Sequence, residues 1–235
     1  MDNTKDILYN ISRIIQNDNR NKYTYFASNF NKYNYRVINS TELAVKGKDL
    51  ELPIFIRNFV KDNSEVLLIF NNIAGKSKGI LFRAIDKKEF CNYGFGKGML
   101  YGLGDLDPDF KYGDPIILVE GAIDRDVCAT FLSKNCLGLL TSRLSNNQIE
   151  VITRLTNKFI LLLDNDEAGR QGENNIERKL LSRRENISVF RMESKRSDIK
   201  DLGDLIDLYR YKNIKFNDII VTYRCNILEH GGKLC

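Results

Sequence analysis

Phe159-Ile160-Leu161-Leu162-Leu163-Asp164-Asn165-Asp166-Glu167-Ala168-Gly169 decides how the chain is read. Five consecutive apolar residues, halted at once by acids, have the pattern of a strand buried on both faces of a parallel sheet. Asp164 and Asp166 follow where that strand stops. Two positions apart on extended backbone, their side chains point the same way and can face one cation. Open α/β sheets bind ligands outside the carboxyl ends of their strands, which is where the pair falls. Capping of the following helix by the same aspartates is the competing reading, and this stretch alone leaves it open.

Downstream of Pro115 the chain alternates regularly between strands and helices. Ile116-Ile117-Leu118-Val119 is a second buried strand, followed by a helix over 123–132, a short strand at 137–140 and a helix capped by Ser145 through 154. After the 159–163 strand come a helix over 167–181 and a strand at 187–191. Such alternation predicts a parallel sheet with right-handed crossovers. Residues 201–211 and 217–228 read as helices.

The first half is of another kind. Isoleucines and leucines at helical spacing place a helix at 4–16, and aromatic residues interleaved with Asn and Lys fill 23–35, a small core or a stacking platform for single strands. A helix at 49–61 and strands at 65–70 and 78–86 follow. Ala74-Gly75-Lys76-Ser77 between those strands imitates a phosphate-binding loop. It lacks the required earlier glycine, since position 70 is Phe, and a strand rather than a helix comes next. A turn between strands is the expectation. The glycine-rich run from Gly94 leads into residues 104–114, expected to be a linker.

The 235 residues carry 43% hydrophobic and 29% charged residues, values of a globular chain. No apolar run nears the ~20 residues needed to cross a bilayer, and the N-terminus has no signal-peptide core, so a cytoplasmic protein without membrane attachment is expected. Five cysteines, with no C-x-x-C spacing, argue against a zinc site and against a disulfide framework. Residues 1–113 carry 17 Lys and Arg against 13 Asp and Glu, a mild basic excess suited to a phosphate-bearing partner.

Acids recur at strand ends. Glu120-Gly121-Ala122-Ile123-Asp124 follows the 116–119 strand, and Ser197-Asp198-Ile199-Lys200-Asp201-Leu202-Gly203-Asp204 follows the 187–191 strand. Crowded carboxylates repel and call for a cation. All-oxygen donors suit Mg²⁺ or Mn²⁺ rather than zinc, and such ions serve phosphoryl and nucleotidyl transfer.

Val119-Glu120-Gly121-x-x-Asp124 with Asp164-x-Asp166-x-Ala168-Gly169-Arg170 resembles the Toprim domain, in the form found in DnaG-type primases and their phage relatives. Lys97-Gly98-x-Leu100-Tyr101-Gly102-Leu103 is similar to the signature that leads into that domain in primases, one residue shorter. Thr141-Ser142 before the Ser145-capped helix resembles the segment between the acidic motifs, with Arg143 at a usually small position. Lys200-Asp201 through Asp204 is similar to their Lys-Asp-Pro-Asp-Glu element, with Gly203 where a second Asp is frequent. The resemblance spans roughly residues 78–210. It implies an α/β fold: a mixed, basic N-terminal subdomain over 1–113, a Toprim domain over 114–212 with a mostly parallel sheet flanked by helices, and a helical tail over 213–235.

The resemblance further implies a DNA-directed RNA polymerase that makes primers on single-stranded DNA from NTPs. Glu120 would be the general acid/base or metal-proximal carboxylate, and Asp164 and Asp166 would hold Mg²⁺ or Mn²⁺ with Asp124 and Asp201 in support. Lys97 and Arg83 would belong to the basic surface that binds template and nucleotide phosphates. A replicative helicase and a separately encoded zinc-binding domain are the implied partners, because the sequence shows no candidate for the zinc-binding domain of such primases. A Toprim nuclease and a non-catalytic module binding single-stranded DNA are the alternatives.

Overall fold

A computed structural model of the chain describes residues 35–39, 52–63, 65–73, 76–85, 87–96, 98–141, 143–183, 186–194, 199–202, 204 and 221–226. The helix expected at 4–16, the aromatic residues of 23–33, Lys97, Gly203 and most of the 201–211 helix lie outside these residues. The chain divides into two compact units, Met1–Gly96 and Lys97–Cys235.

The first unit holds a four-stranded antiparallel sheet in the order β1 (Tyr35–Asn39), β2 (Glu65–Ile73), β3 (Lys76–Ala84), β4 (Phe90–Tyr93), with helix α1 at Ile54–Lys61. Alternate residues Val66, Leu68 and Phe70 of β2 and Ile80 and Phe82 of β3 pack with Leu52, Ile56 and Val60 around α1, as a period of two on strands and of nearly four on a helix requires. Ile73 lies opposite Lys76. Lys76 and Ser77 of the segment that imitates a phosphate-binding loop therefore begin a strand antiparallel to β2, not a helix. Strands β1 and β4 were not anticipated from sequence.

The second unit is built on a five-stranded sheet in the order β6-β5-β7-β8-β9. Strands β5 (Ile116–Val119), β6 (Cys136–Gly138), β7 (Lys158–Leu161) and β8 (Ser188–Ser194) run parallel, and β9 (Val221–Asn226) pairs antiparallel with β8. Helices α2 (Ala122–Phe131), α3 (Asn146–Leu155) and α4 (Glu167–Leu181) make the connections. Alternation along the strands divides the core between the two faces. Leu118, Phe159 and Leu161 pack with Ile149 and Ile152 of α3 and Ile176 and Leu180 of α4. Ile117, Val119 and Ile160 pack with Cys128 of α2 on the other side. Both faces are covered, which is why these strands are apolar without interruption.

Two expectations change. Residues 221–226 form an edge strand, where a helix was read. The alternating Val221-Thr222-Tyr223 favours extended backbone, and the exposed edge of β8 supplies the pairing partner. Residues 104–114, expected to be a linker, pack on the second unit, with Leu103, Leu106 and Phe110 against its core. Tyr101 anchors that approach by exchanging backbone hydrogen bonds with Gly138 at 2.9 and 3.0 Å. No helix among the described residues is long and apolar enough to cross a membrane.

Candidate active site

Chain direction places the acids. From β5 the chain crosses over α2 to β6 on one side, and from β7 it crosses over α4 to β8 on the other, so the crossovers diverge between β5 and β7. That divergence opens a crevice at the carboxyl ends of the two strands. Leu118 pairs with Leu161 across it, which sets Glu120, just past β5, beside the residues leading to Asp164. A cleft of about 370 Å³ adjoins the rim, lined by Asp164, Arg170, Lys200 and Asp201 over a wall that includes Met192 and Ile199.

Burial, neighbouring charge and hydrogen bonds move the carboxylates out of their ordinary state. Burial and the neighbouring charges of Glu120, Asp201 and Asp166 push the Asp164 carboxyl up to about 6, with Lys200 opposing. Glu120 is raised by burial and then by Asp166 and Asp201, again against Lys200. Asp166 is lowered, chiefly because its side chain accepts the Gly169 N–H, and next by Lys200.

Asp166 takes the capping role that the sequence left open, and keeps one carboxylate oxygen outside it. Its Oδ1 caps α4 by accepting the Gly169 N–H at 2.9 Å, and its Oδ2 lies 3.1 Å from Lys200 Nζ. Gly169 is obligatory for this turn: a Cβ there would stand 2.0 Å from the carbonyl oxygen of Asp164. The glycine lets the first turn of α4 lie against the backbone that carries the acids.

Asp124 is drawn into local structure. Its Oδ2 accepts the Gly121 N–H at 3.1 Å, capping α2. Asp201 and Asp204 close a reciprocal turn, in which Asp201 Oδ1 accepts the Asp204 N–H at 3.0 Å and Asp204 Oδ2 accepts the Lys200 N–H at 2.9 Å. The Asn165 N–H donates to the Lys200 carbonyl at 2.7 Å and ties this segment to the Asp164–Asp166 loop. Arg83 lies on β3 of the first unit, half-buried and opposite Leu67 and Phe90; Lys97 is outside the described residues.

Lys200, named in the sequence only as part of a motif, and Leu140 are the features of the rim to which sequence reasoning gave no role. Lys200 was readable as the one cation inside the Ile199–Asp201 stretch. Leu140 has a φ of 60° while its N–H donates to the Glu120 carbonyl at 2.8 Å. That left-handed backbone is strain stored beside a candidate catalytic residue, and nothing in its residue type announces it.

Among the described residues no three His, Cys, Asp or Glu side chains are gathered closely enough to hold one ion. The donor chemistry nonetheless fits a hard cation: every donor is oxygen, and the charge is in excess. Mg²⁺ keeps several waters and is held through one or two carboxylates, so a three-residue cage is not needed.

Residues 117–206 match the model of the Toprim-like family. A DNA primase domain from Pseudomonas aeruginosa is similar to the chain at 23% identity and a TM-score of 0.52, over 62% of this chain and 49% of that one. A DnaG primase catalytic domain bound to single-stranded DNA is similar at 17% identity and 0.61, over 89% and 75%. The zinc-binding and RNA polymerase domains of the Aquifex aeolicus primase are similar at 20% identity and 0.59, over 92% and 55%. The chain thus spans about half the length of the Pseudomonas and Aquifex structures. No curated protein matches the sequence. Residues 117–206 are a Toprim-like domain, and the chain has the fold of DnaG-type primase catalytic cores.

Proposed function

We propose that the chain is a primase catalytic core, a nucleotidyltransferase that makes short RNA primers on single-stranded DNA from NTPs with Mg²⁺ or Mn²⁺. The observation that carries this reading is the rim itself: burial raises the proton affinity of Glu120 and Asp164, from the two strands at the sheet's divergence, the charges of Asp166 and Asp201 raise it further at both, and Glu120 adds to it at Asp164. Carboxylates so placed are ready to exchange protons for a divalent ion. The fold supports the same reading, and the relative bound to single-stranded DNA suggests the template.

Asp164 and Asp166 would hold the cation, with Asp201 in support. Asp166 contributes through Oδ2, since Oδ1 is engaged by the Gly169 N–H. Asp124 supports at one remove, by fixing the turn that presents Glu120. The bound ion would polarise the phosphoryl oxygens and offset the charge that builds up in the in-line displacement. The primer 3′-hydroxyl attacks the α-phosphorus of the incoming NTP, the bond to pyrophosphate breaks, and the hydroxyl proton passes to Glu120. Its carboxyl is raised from its ordinary value by burial and then by Asp166 and Asp201, which suits it to accept that proton. Lys97 and Arg83 would bind template and nucleotide phosphates. A replicative helicase and a zinc-binding domain on another polypeptide would complete the machinery in the cytoplasm; the Aquifex structure includes a zinc-binding domain.

The test is incubation with single-stranded DNA, labelled NTPs and Mg²⁺ or Mn²⁺, beside an Asp164→Asn variant. Short RNA products lost in the variant are expected. Cleavage of the DNA would identify a nuclease, and binding without either product a non-catalytic module. No synthesis even with a zinc-domain partner added would refute the proposal.

A further inference from the structure

The segment after β8 brings a cation to the rim as well as carboxylates. Lys200 Nζ lies 3.1 Å from Asp166 Oδ2, and its backbone is fixed from both directions. The Lys200 carbonyl accepts the Asn165 N–H at 2.7 Å, and its own N–H donates to Asp204 Oδ2 at 2.9 Å. Asp166 cannot swing away without giving up the cap of α4. Arg170, which shares the cleft, pairs with Glu167 at 3.3 Å and belongs to the helix surface. The ammonium of Lys200 faces the oxygen of Asp166 that the cap leaves open, and its charge reaches both Asp164 and Glu120.

We infer that Lys200 is a built-in counter-ion of the rim, which competes with the divalent cation for Asp166 Oδ2 and so holds the site's metal affinity down. The inference rests on the proposed metal-binding role of Asp164 and Asp166. It deepens that role: the affinity of the rim is set by a tethered cation as well as by its number of carboxylates.

A divalent ion and an ammonium about 5 Å apart in a solvent-exposed setting repel by an amount worth roughly three- to tenfold in affinity at physiological salt. Calorimetric titration of the full chain with Mn²⁺ reads this directly, without any turnover. Lys200→Ala is expected to bind Mn²⁺ about three- to tenfold more tightly than the natural protein. Lys200→Arg, which keeps the charge, should bind within twofold of it. Lys158→Ala, which removes an exposed lysine at the opposite end of β7, should also leave the affinity alone. Thermal unfolding checks that each variant is folded. If the natural protein binds Mn²⁺ and Lys200→Ala binds it equally or more weakly, the inference is overturned while the metal site stands. If the natural protein and Lys200→Ala both fail to bind Mn²⁺, the metal site and the inference fall together.

Discussion

Helix α2 separates two ways of handling charge within three residues. Asp124 stays at its N-terminus and caps it through the Gly121 N–H, whereas Arg125 and Asp126 turn into the interior. The Arg125 side chain is 4% exposed and that of Asp126 1%, yet they are 2.8 Å apart and every neighbour completes the arrangement. Tyr101 Oη donates to Asp126 at 2.7 Å. Arg125 also reaches Asp105 at 3.3 Å and donates through Nε to the Cys136 carbonyl at 3.1 Å. Gly102, at a φ of 83°, leaves room for the guanidinium: a Cβ there would meet Arg125 Nε at 2.2 Å. Here the buried Arg125–Asp126 pair is balanced, closed and structural, with the partly exposed Asp105 as a second carboxylate at its edge. At the rim, among the described residues, the acids outnumber the cations Lys200 and Arg170 and open on a cleft. Buried charge that meets its partners holds the fold together, while charge left in excess at strand ends is available for chemistry.

The largest effect is expected from breaking the balanced cluster. Arg125→Met leaves Asp126 buried without its counter-charge and should cost about 3–5 kcal/mol, measured by urea unfolding. Adding Asp126→Leu to it should recover much of the loss, because the orphaned carboxylate is then gone. Gly169→Ala comes next. Its Cβ would drive the first turn of α4 away from Asp164, at a cost of about 1–3 kcal/mol in the same assay, and primer synthesis should fall with it. Tyr101→Phe removes one donor from a buried carboxylate and should cost roughly 1–2 kcal/mol.

The last effect concerns pH and separates the clusters most sharply. The folded Asp164 carboxyl is raised from 3.8 to about 6, so between those values the folded state binds more protons than the unfolded one. Stability therefore falls as pH rises through roughly 4 to 6, the reverse of the usual carboxylate. Glu120, also raised, acts in the same direction. Asp166, lowered, acts oppositely, below its ordinary range. Unfolding midpoints across this window should decline with pH in the natural protein and flatten in Asp164→Asn.

The rim was largely legible in the sequence because its signals are local. A run of apolar residues ended by acids marks a strand terminus in a parallel sheet, and glycine behind the acids marks a tight turn, so Glu120, Asp164, Asp166 and Asp201 could all be named. The Arg125 cluster was not legible. Asp-Arg-Asp on a helix looks like a solvated face, and only Tyr101, 24 residues earlier, reveals that it is an interior one. Strand β9 was missed for a similar reason, since the edge of β8 decides its conformation from a distance. β4 was missed because four residues with alternating half-burial give too short a pattern to read.

The difference between the two clusters is tested most directly by thermal unfolding at pH 7.5, in EDTA and in millimolar Mg²⁺, for the natural protein and for Asp164→Asn. Mg²⁺ should raise the midpoint of the natural protein by binding its folded state. It should leave Asp164→Asn nearly unmoved, and that variant should be at least as stable in EDTA because a repelling charge is gone. An equal Mg²⁺ response in both proteins, or none in the natural one, would contradict the assignment of the rim as a cation-dependent site.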